Sequence, residues 1–121
     1  MLKKKYFYPK KVNDLIRIGN NFDGGYIFKR NLIKKIQNCI SFGLGDDFSF
    51  EIELKKINNK INIYTLDHSI NYIFWIKHFF YWLLKSIRFR KYLKFLSFIK
   101  YILFFHIDNN VHLKIKVGEK N

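Results

Sequence analysis

The apolar and polar positions divide the chain into a glycine-bearing half of short alternating runs and a half of long apolar stretches cut by single cations. Tyr26-Ile27-Phe28 follows the turn-rich stretch Gly19 to Gly25 and predicts a short strand. Asp23-Gly24-Gly25 supplies the turn, because glycine takes positive φ without strain. Leu32 to Ile36 predicts a helical turn. Cys39-Ile40-Ser41-Phe42 is a β-type run leading directly into Gly43-Leu44-Gly45-Asp46-Asp47. The period then changes. Phe50 and Leu54 lie at i, i+4, Asp46, Asp47 and Ser49 are placed to cap, and Glu51 falls in the first turn, so Phe48 to Lys56 predicts a helix. After Asn58-Asn59, Ile61 to Leu66 alternates as a second strand, and Asp67 closes it. The predicted order is strand, glycine loop, helix, strand, acid.

Ser69 to Ile107 is dense in Phe, Trp, Tyr, Ile and Leu and predicts two helices. At about 100° per residue, Lys77, Lys85, Arg88 and Lys91 share an arc of roughly 120°. Ile70 to Ile87 reaches the ~18-residue length of a membrane span. Its apolar side chains contribute roughly −4 kcal/mol to insertion, while one central lysine costs about 3 kcal/mol before His78, Asn71 and Lys85 are counted. Insertion therefore comes out near zero. Three readings stay open: a crossover packing its apolar face on the sheet, a basic amphipathic helix on an anionic membrane surface, and a true span.

Composition sharpens this picture. At 121 residues the chain is one modest domain, and 49% hydrophobic with 20% aromatic residues excludes a disordered chain in spite of a net charge of +14. Alanine is absent while Ile, Lys, Asn and Phe are abundant, a bias expected of an A+T-rich genome, so part of that charge is compositional. Its distribution is more informative. Met1 to Asn13 carries five lysines and no acid, Asp14 to Asp67 is nearly balanced, and His68 to Ile107 has seven basic residues and no acid. The acids sit with the glycines. Cys39 is the sole cysteine, which excludes an internal disulfide and suits a reducing compartment; its place in a strand favours an inert core thiol. Lys3, Lys4 and Lys5 precede no apolar h-region, so the start does not read as a signal peptide. The expected location is cytoplasmic, with the basic helices peripheral at the inner face of the membrane.

The four histidines, His68, His78, His106 and His112, have no metal-ligand spacing with Cys39 or with each other, and no metal is expected. Trp75 and Trp82, a heptad apart, favour packing over a stacking platform. Lysines among aromatics from Lys85 to Tyr101 suit single-stranded nucleic acid, but 19 lysines against 4 arginines, with no RNA-binding motif, disfavour that partner.

The glycine loop and the following acid have a joint use. Glycines at a strand end let a nucleotide-like ligand approach the backbone, and an acid at the next strand tip accepts hydrogen bonds from ribose hydroxyls. Gly43-x-Gly45 alone also describes an ordinary tight turn, and a strand-ending Asp an ordinary cap. Phe48 stands where the third glycine of a dinucleotide fingerprint would fall, which disfavours a pyrophosphate-bearing cofactor such as NAD.

Arg17-Ile18-Gly19 with Asp23-Gly24-Gly25-Tyr26, then Ser41-Phe42-Gly43-Leu44-Gly45-Asp46-Asp47-Phe48-Ser49-Phe50-Glu51, then Tyr64-Thr65-Leu66-Asp67-His68, resembles FkbM-type S-adenosylmethionine-dependent methyltransferases. The resemblance covers about Arg17 to His68, and His112 to Gly118 is similar to the third strand of the same fold. Ser41 stands where many methyltransferases outside this group carry an acid. The resemblance implies an α/β, Rossmann-like methyltransferase half-domain of about three parallel strands. Segment 1–38 would carry the turn, and 39–121 would be a truncated domain with 69–107 as its long, helical, apolar and basic crossover. It implies S-adenosylmethionine as cofactor, Gly43, Leu44 and Gly45 at its loop, Asp67 holding its ribose hydroxyls with His68 adjacent, and Asp23, Gly24 and Gly25 near the pocket. The implied reaction is O-methylation of a sugar or another small hydroxyl-bearing metabolite. A complete sheet of this class looks seven-stranded, so the expectation is a fragment, or a half completed by a second polypeptide, with no catalytic residue to name. The competing expectation is a non-enzymatic remnant or a basic amphipathic membrane-surface protein.

Overall fold

A computed structural model of the chain describes residues 11–21, 25–89, 96–107 and 109–118, without the side chains of 86–89. Lys3, Lys4, Lys5, Lys10, Asp23, Gly24, Arg90, Lys91 and Lys94 lie outside the described residues.

Leu15–Ile18 (β1) and Tyr26–Lys29 (β2) form an antiparallel hairpin, registered from Leu15↔Lys29 to Ile18↔Tyr26. β1 is absent from the sequence reading. Its four residues give too short a pattern to stand out beside the turn signals that follow, and partnership with β2 is what makes it a strand. Asp14, at φ 65°, turns the chain in, and its carbonyl accepts the Arg30 amide at 2.9 Å. Arg30–Ile33 (α1) follows, earlier than the predicted helical turn at Leu32 to Ile36.

Asn38–Phe42 (β3), Ser49–Ile57 (α2), Asn62–Leu66 (β4), Tyr72–Phe89 (α3), Ser97–Phe105 (α4) and Asn110–Leu113 (β5) complete the order, with β3, β4 and β5 as one parallel sheet. The protein is mixed α/β. α2 starts at Ser49 behind Phe48, and no side chain caps it; Asp47 instead accepts the Ser49 amide at 3.1 Å from two residues back. At its other end, Asn58 Nδ2 donates to the carbonyls of Ile33 (2.9 Å) and Ile36 (2.8 Å), tying α2 to the turn after α1. β5 ends at Leu113, where the sequence reading began a strand at His112 and ran it to Gly118. β4 offers partners only as far as Leu66↔Leu113, and the Ile115 amide then folds back on the Leu113 carbonyl at 2.9 Å.

Alternation sorts the sheet residues onto two faces. Cys39, Ser41, Ile63, Thr65, Asn110 and His112 share one face. α2 and α4 lie there: Glu51 bonds Ser41, and Tyr101 bonds His112. Ile63 and Thr65 are fully buried, within a core that includes Leu54, Ile61, Ile70 and Phe104. The other face presents Ile40, Phe42, Tyr64, Val111 and Leu113, from 36% to 63% exposed. Parallel sheets are ordinarily covered on both faces; among the described residues, helices cover this one on one face.

α3 buries only part of its apolar surface. Trp75 is buried and Phe74, His78 and Trp82 half-buried, while Tyr72, Ile73, Ile76, Phe80 and Leu84 are exposed. At about 100° per residue the exposed five fill an arc of about 120°. No helix among the described residues is long and apolar enough to cross a membrane.

The two faces of the sheet respond differently to substitution. Ile63→Ala, removing a fully buried side chain, lowers the unfolding free energy by about 2–5 kcal/mol. Phe42→Thr on the open face changes it by under about 0.5 kcal/mol. Urea unfolding of the two variants against the parent chain checks this.

Candidate binding site at the strand tips

β3 delivers the chain into Gly43-Leu44-Gly45, and the loop is held open by its backbone. Gly43 has φ 76° and Gly45 φ 57°, a region side chains disfavour, and among the described residues nothing lies within 4 Å of a Cβ built on either. The loop therefore borders open space. Leu44 between them is buried and belongs to the core, so its side chain anchors the loop. The Gly43 amide donates to the Leu66 carbonyl at 3.1 Å, extending the β3–β4 ladder to the loop's edge.

Asp67 sits at the tip of β4, 8% exposed. Its Oδ2 accepts the Gly45 amide at 3.1 Å, and its Oδ1 accepts the Ser69 amide at 2.8 Å and the Ser69 hydroxyl at 2.6 Å. Burial pushes this carboxyl upward, but the Ser69 hydroxyl and the amides of Gly45, Ser69 and Leu44 outweigh it and hold the group below the usual carboxylate range. Asp67 is thus ionised at neutral pH. The Gly45 and Leu44 amides and both donors of Ser69 thus surround the carboxylate. The backbone of the same residue is fixed as well. Its amide donates to the Leu113 carbonyl at 3.0 Å, and its carbonyl accepts His112 Nε2–H at 2.9 Å. That bond places the imidazole proton on Nε2 and leaves Nδ1 to accept the Tyr101 hydroxyl at 2.5 Å. His68 is exposed beside this clasp.

The hairpin docks on the far side of the loop. The Gly19 amide donates to Glu53 at 2.7 Å, the Asn20 amide to Ser49 Oγ at 3.0 Å, and Asn20 Nδ2 to Asp47 at 3.0 Å. Tyr26 meets Phe50 edge-on, with ring centroids 5.0 Å apart. Gly19, Asn20 and Tyr26, which flank the turn, are therefore held against α2 and the residues before it. A Cβ on Gly25 would collide with the Asn20 carbonyl and the Arg17 guanidinium, so only glycine fits there. On the α3 side, Asp46 lies 3.4 Å from Nε2 of His78.

Sequence reasoning missed Glu51. It is 4% exposed and accepts the Ser41 hydroxyl at 2.5 Å, so the helix supplies a carboxyl beneath the strand where Ser41 stands. Burial pushes the Glu51 carboxyl above its ordinary value, with Asp47 adding to the shift and the Ser41 hydroxyl and its own amide opposing it. The signal was present: Glu51 adjoins Phe50 and precedes Leu54 by three residues, which places it on the buried stripe of α2. Cys39 is half-buried, and burial followed by the Glu51 charge raises its thiol, as suits an inert side chain. Among the described residues no group of His, Cys, Asp or Glu could hold a metal ion.

A separate cleft of about 250 Å3 opens between α3 and α4, lined by Ile70, Tyr72, Trp75, Phe98, Tyr101 and Ile102, with Asn71, His106 and Lys114 also on its wall. Neither loop glycine nor Asp67 lines it.

Glu51 makes stability depend on pH with a defined sign. A carboxyl raised above its unfolded value of about 4.3 favours folding most below that value, and the benefit is lost as pH rises through the folded-state pKa. Glu51→Gln, which keeps an acceptor for Ser41, therefore unfolds at higher urea than the parent at neutral pH. The gap closes by about pH 4 and below.

No family model, no curated protein and no solved structure matches this chain.

Proposed function

We propose that the chain is the cofactor-binding half of an S-adenosylmethionine-dependent O-methyltransferase of the FkbM type, with a Rossmann-like arrangement of its parallel strands. The observation that carries this reading is the clasp between Asp67 and the Gly45 amide, which sets an ionised acid and a glycine loop side by side at the tips of adjacent parallel strands. Ligands of open parallel sheets bind outside the carboxyl ends of the strands, where this pair stands. The donor set suits the cofactor. The open side of Gly43 and Gly45 admits the approach of a nucleoside to the backbone, and the ionised Asp67 beside them is the kind of acceptor that a ribose hydroxyl bonds. His68 is exposed next to it, and Leu44 serves through its backbone.

When bound, the cofactor supplies a methyl group on a sulfonium, a good leaving group that a hydroxyl oxygen can displace. What the protein must add is proximity and alignment, and at most one base. A sugar or another small hydroxyl-bearing metabolite is the acceptor class. No described residue is assigned as that base. A second polypeptide supplying the opposite wall agrees with the open face of the sheet. The alternative reading, a non-enzymatic protein that acts through its basic amphipathic helices alone, is favoured by the exposed apolar arc of α3.

Titration calorimetry with S-adenosylhomocysteine tests the assignment. The parent chain binds, and Asp67→Asn, isosteric but uncharged, binds about ten- to a hundredfold more weakly, the cost of one charged hydrogen bond. A thermal melt of the variant establishes that it is folded. Equal affinity in the folded variant overturns the role of Asp67, and no binding by the folded parent overturns the cofactor.

A further inference from the structure

α3 leaves a large apolar surface outward: Tyr72, Ile73, Ile76, Phe80 and Leu84 face solvent, while Trp75 is buried and Phe74, His78, Trp82 and Leu83 are half-buried. α4 repeats the pattern with Ile99, Ile102 and Leu103 exposed. The two surfaces are continuous, because Tyr72 of α3 and Ile102 of α4 line the same cleft. A patch of this kind on a soluble surface marks an interaction site.

Charge indicates what covers it. Lys77 borders the α3 arc, Lys100 lies exposed on α4, and Lys114 stands 5.0 Å from the Tyr72 ring centroid. Lys85 Nζ is 4.5 Å from the ring centroid of Tyr81 and 5.3 Å from that of Trp82. From His68 to Ile107 the sequence has no acid, and the stretch between the helices adds Arg90, Lys91 and Lys94. A second copy docked on this face would set lysines against lysines. A layer of anionic headgroups over hydrocarbon matches both the cations and the apolar arc, and aromatic rings beside lysines suit its interface. Among the described residues neither helix is long and apolar enough to cross the bilayer.

We propose that the outward faces of α3 and α4 are a docking surface for an anionic membrane, with the lysines at the headgroups and the Ile73, Ile76, Phe80, Leu84 stripe in the acyl boundary. This surface uses no residue of the glycine loop or Asp67, so it stands or falls apart from the proposed cofactor.

Flotation of the full chain with vesicles of phosphatidylcholine, alone or mixed with phosphatidylglycerol, tests it. The chain binds the mixed vesicles at least about tenfold more tightly than the neutral ones, and salt weakens the preference. Lys77→Glu with Lys100→Glu lowers binding to mixed vesicles by about tenfold or more. Ile76→Asp with Phe80→Asp abolishes it, while circular dichroism of both double variants matches the parent. Equal binding to neutral and anionic vesicles overturns the proposal, and so does absence of binding to either. A chain that ignores vesicles but forms a dimer dissociated by Phe80→Asp would show that a second copy occupies the face.

Discussion

Four pieces of the chain meet at residue 67. Its carboxylate draws in the Gly45 amide and both donors of Ser69, its amide reaches the end of β5, and its carbonyl holds His112, which in turn holds Tyr101 of α4. A carboxylate at 8% exposure is costly to hold ionised unless donors surround it, and three are supplied within 3.1 Å. The constraint runs both ways. The loop after β3 takes its shape because Asp67 needs the Gly45 amide, and Gly45 can present it because glycine tolerates φ 57°. The open side of that loop, which any ligand of the site would meet, follows from the same clasp.

The clasp fixes one end of a sheet that is only half enclosed. Helices cover the face bearing Ile63 and Thr65 and leave the face bearing Ile40 and Phe42 open. The outward arcs of α3 and α4 add a second apolar surface, and this one is bordered by cations. The two surfaces differ chemically: Ile40, Phe42, Tyr64, Val111 and Leu113 make up the sheet face, whereas Lys77, Lys100 and Lys114 border the helical one, for which we propose an anionic membrane.

The strand, loop, helix, strand, acid order was readable because each signal is local. Alternation marks β3 and β4, two glycines mark the loop, and the Phe50 and Leu54 spacing marks α2. What escaped was set by contacts between distant residues. β1 is a strand because β2 lies beside it, and β5 stops at Leu113 because β4 runs out. In the sequence Asn58 only separates the helix from the second strand, yet its side-chain amide joins α2 to the chain near Ile33 and Ile36. For Asp67, the sequence located the acid at the strand tip. It could not show that the loop itself would take up part of the acid's bonding capacity. The apolar pattern of α3 was plain, but which side faces inward depends on Trp75 and its partners Phe98 and Tyr101, set by tertiary packing.

The central claim is that the loop and the acid at the tips of β3 and β4 form one ligand site. Amide chemical-shift mapping of the isotope-labelled chain during addition of S-adenosylhomocysteine tests it most directly. The account predicts saturable shifts centred on Gly43, Gly45, Asp67 and Ser69, with the amides of Ile76 to Leu84 unmoved. Shifts centred instead on the cleft around Trp75 and Tyr101, or none at saturating ligand, would contradict it.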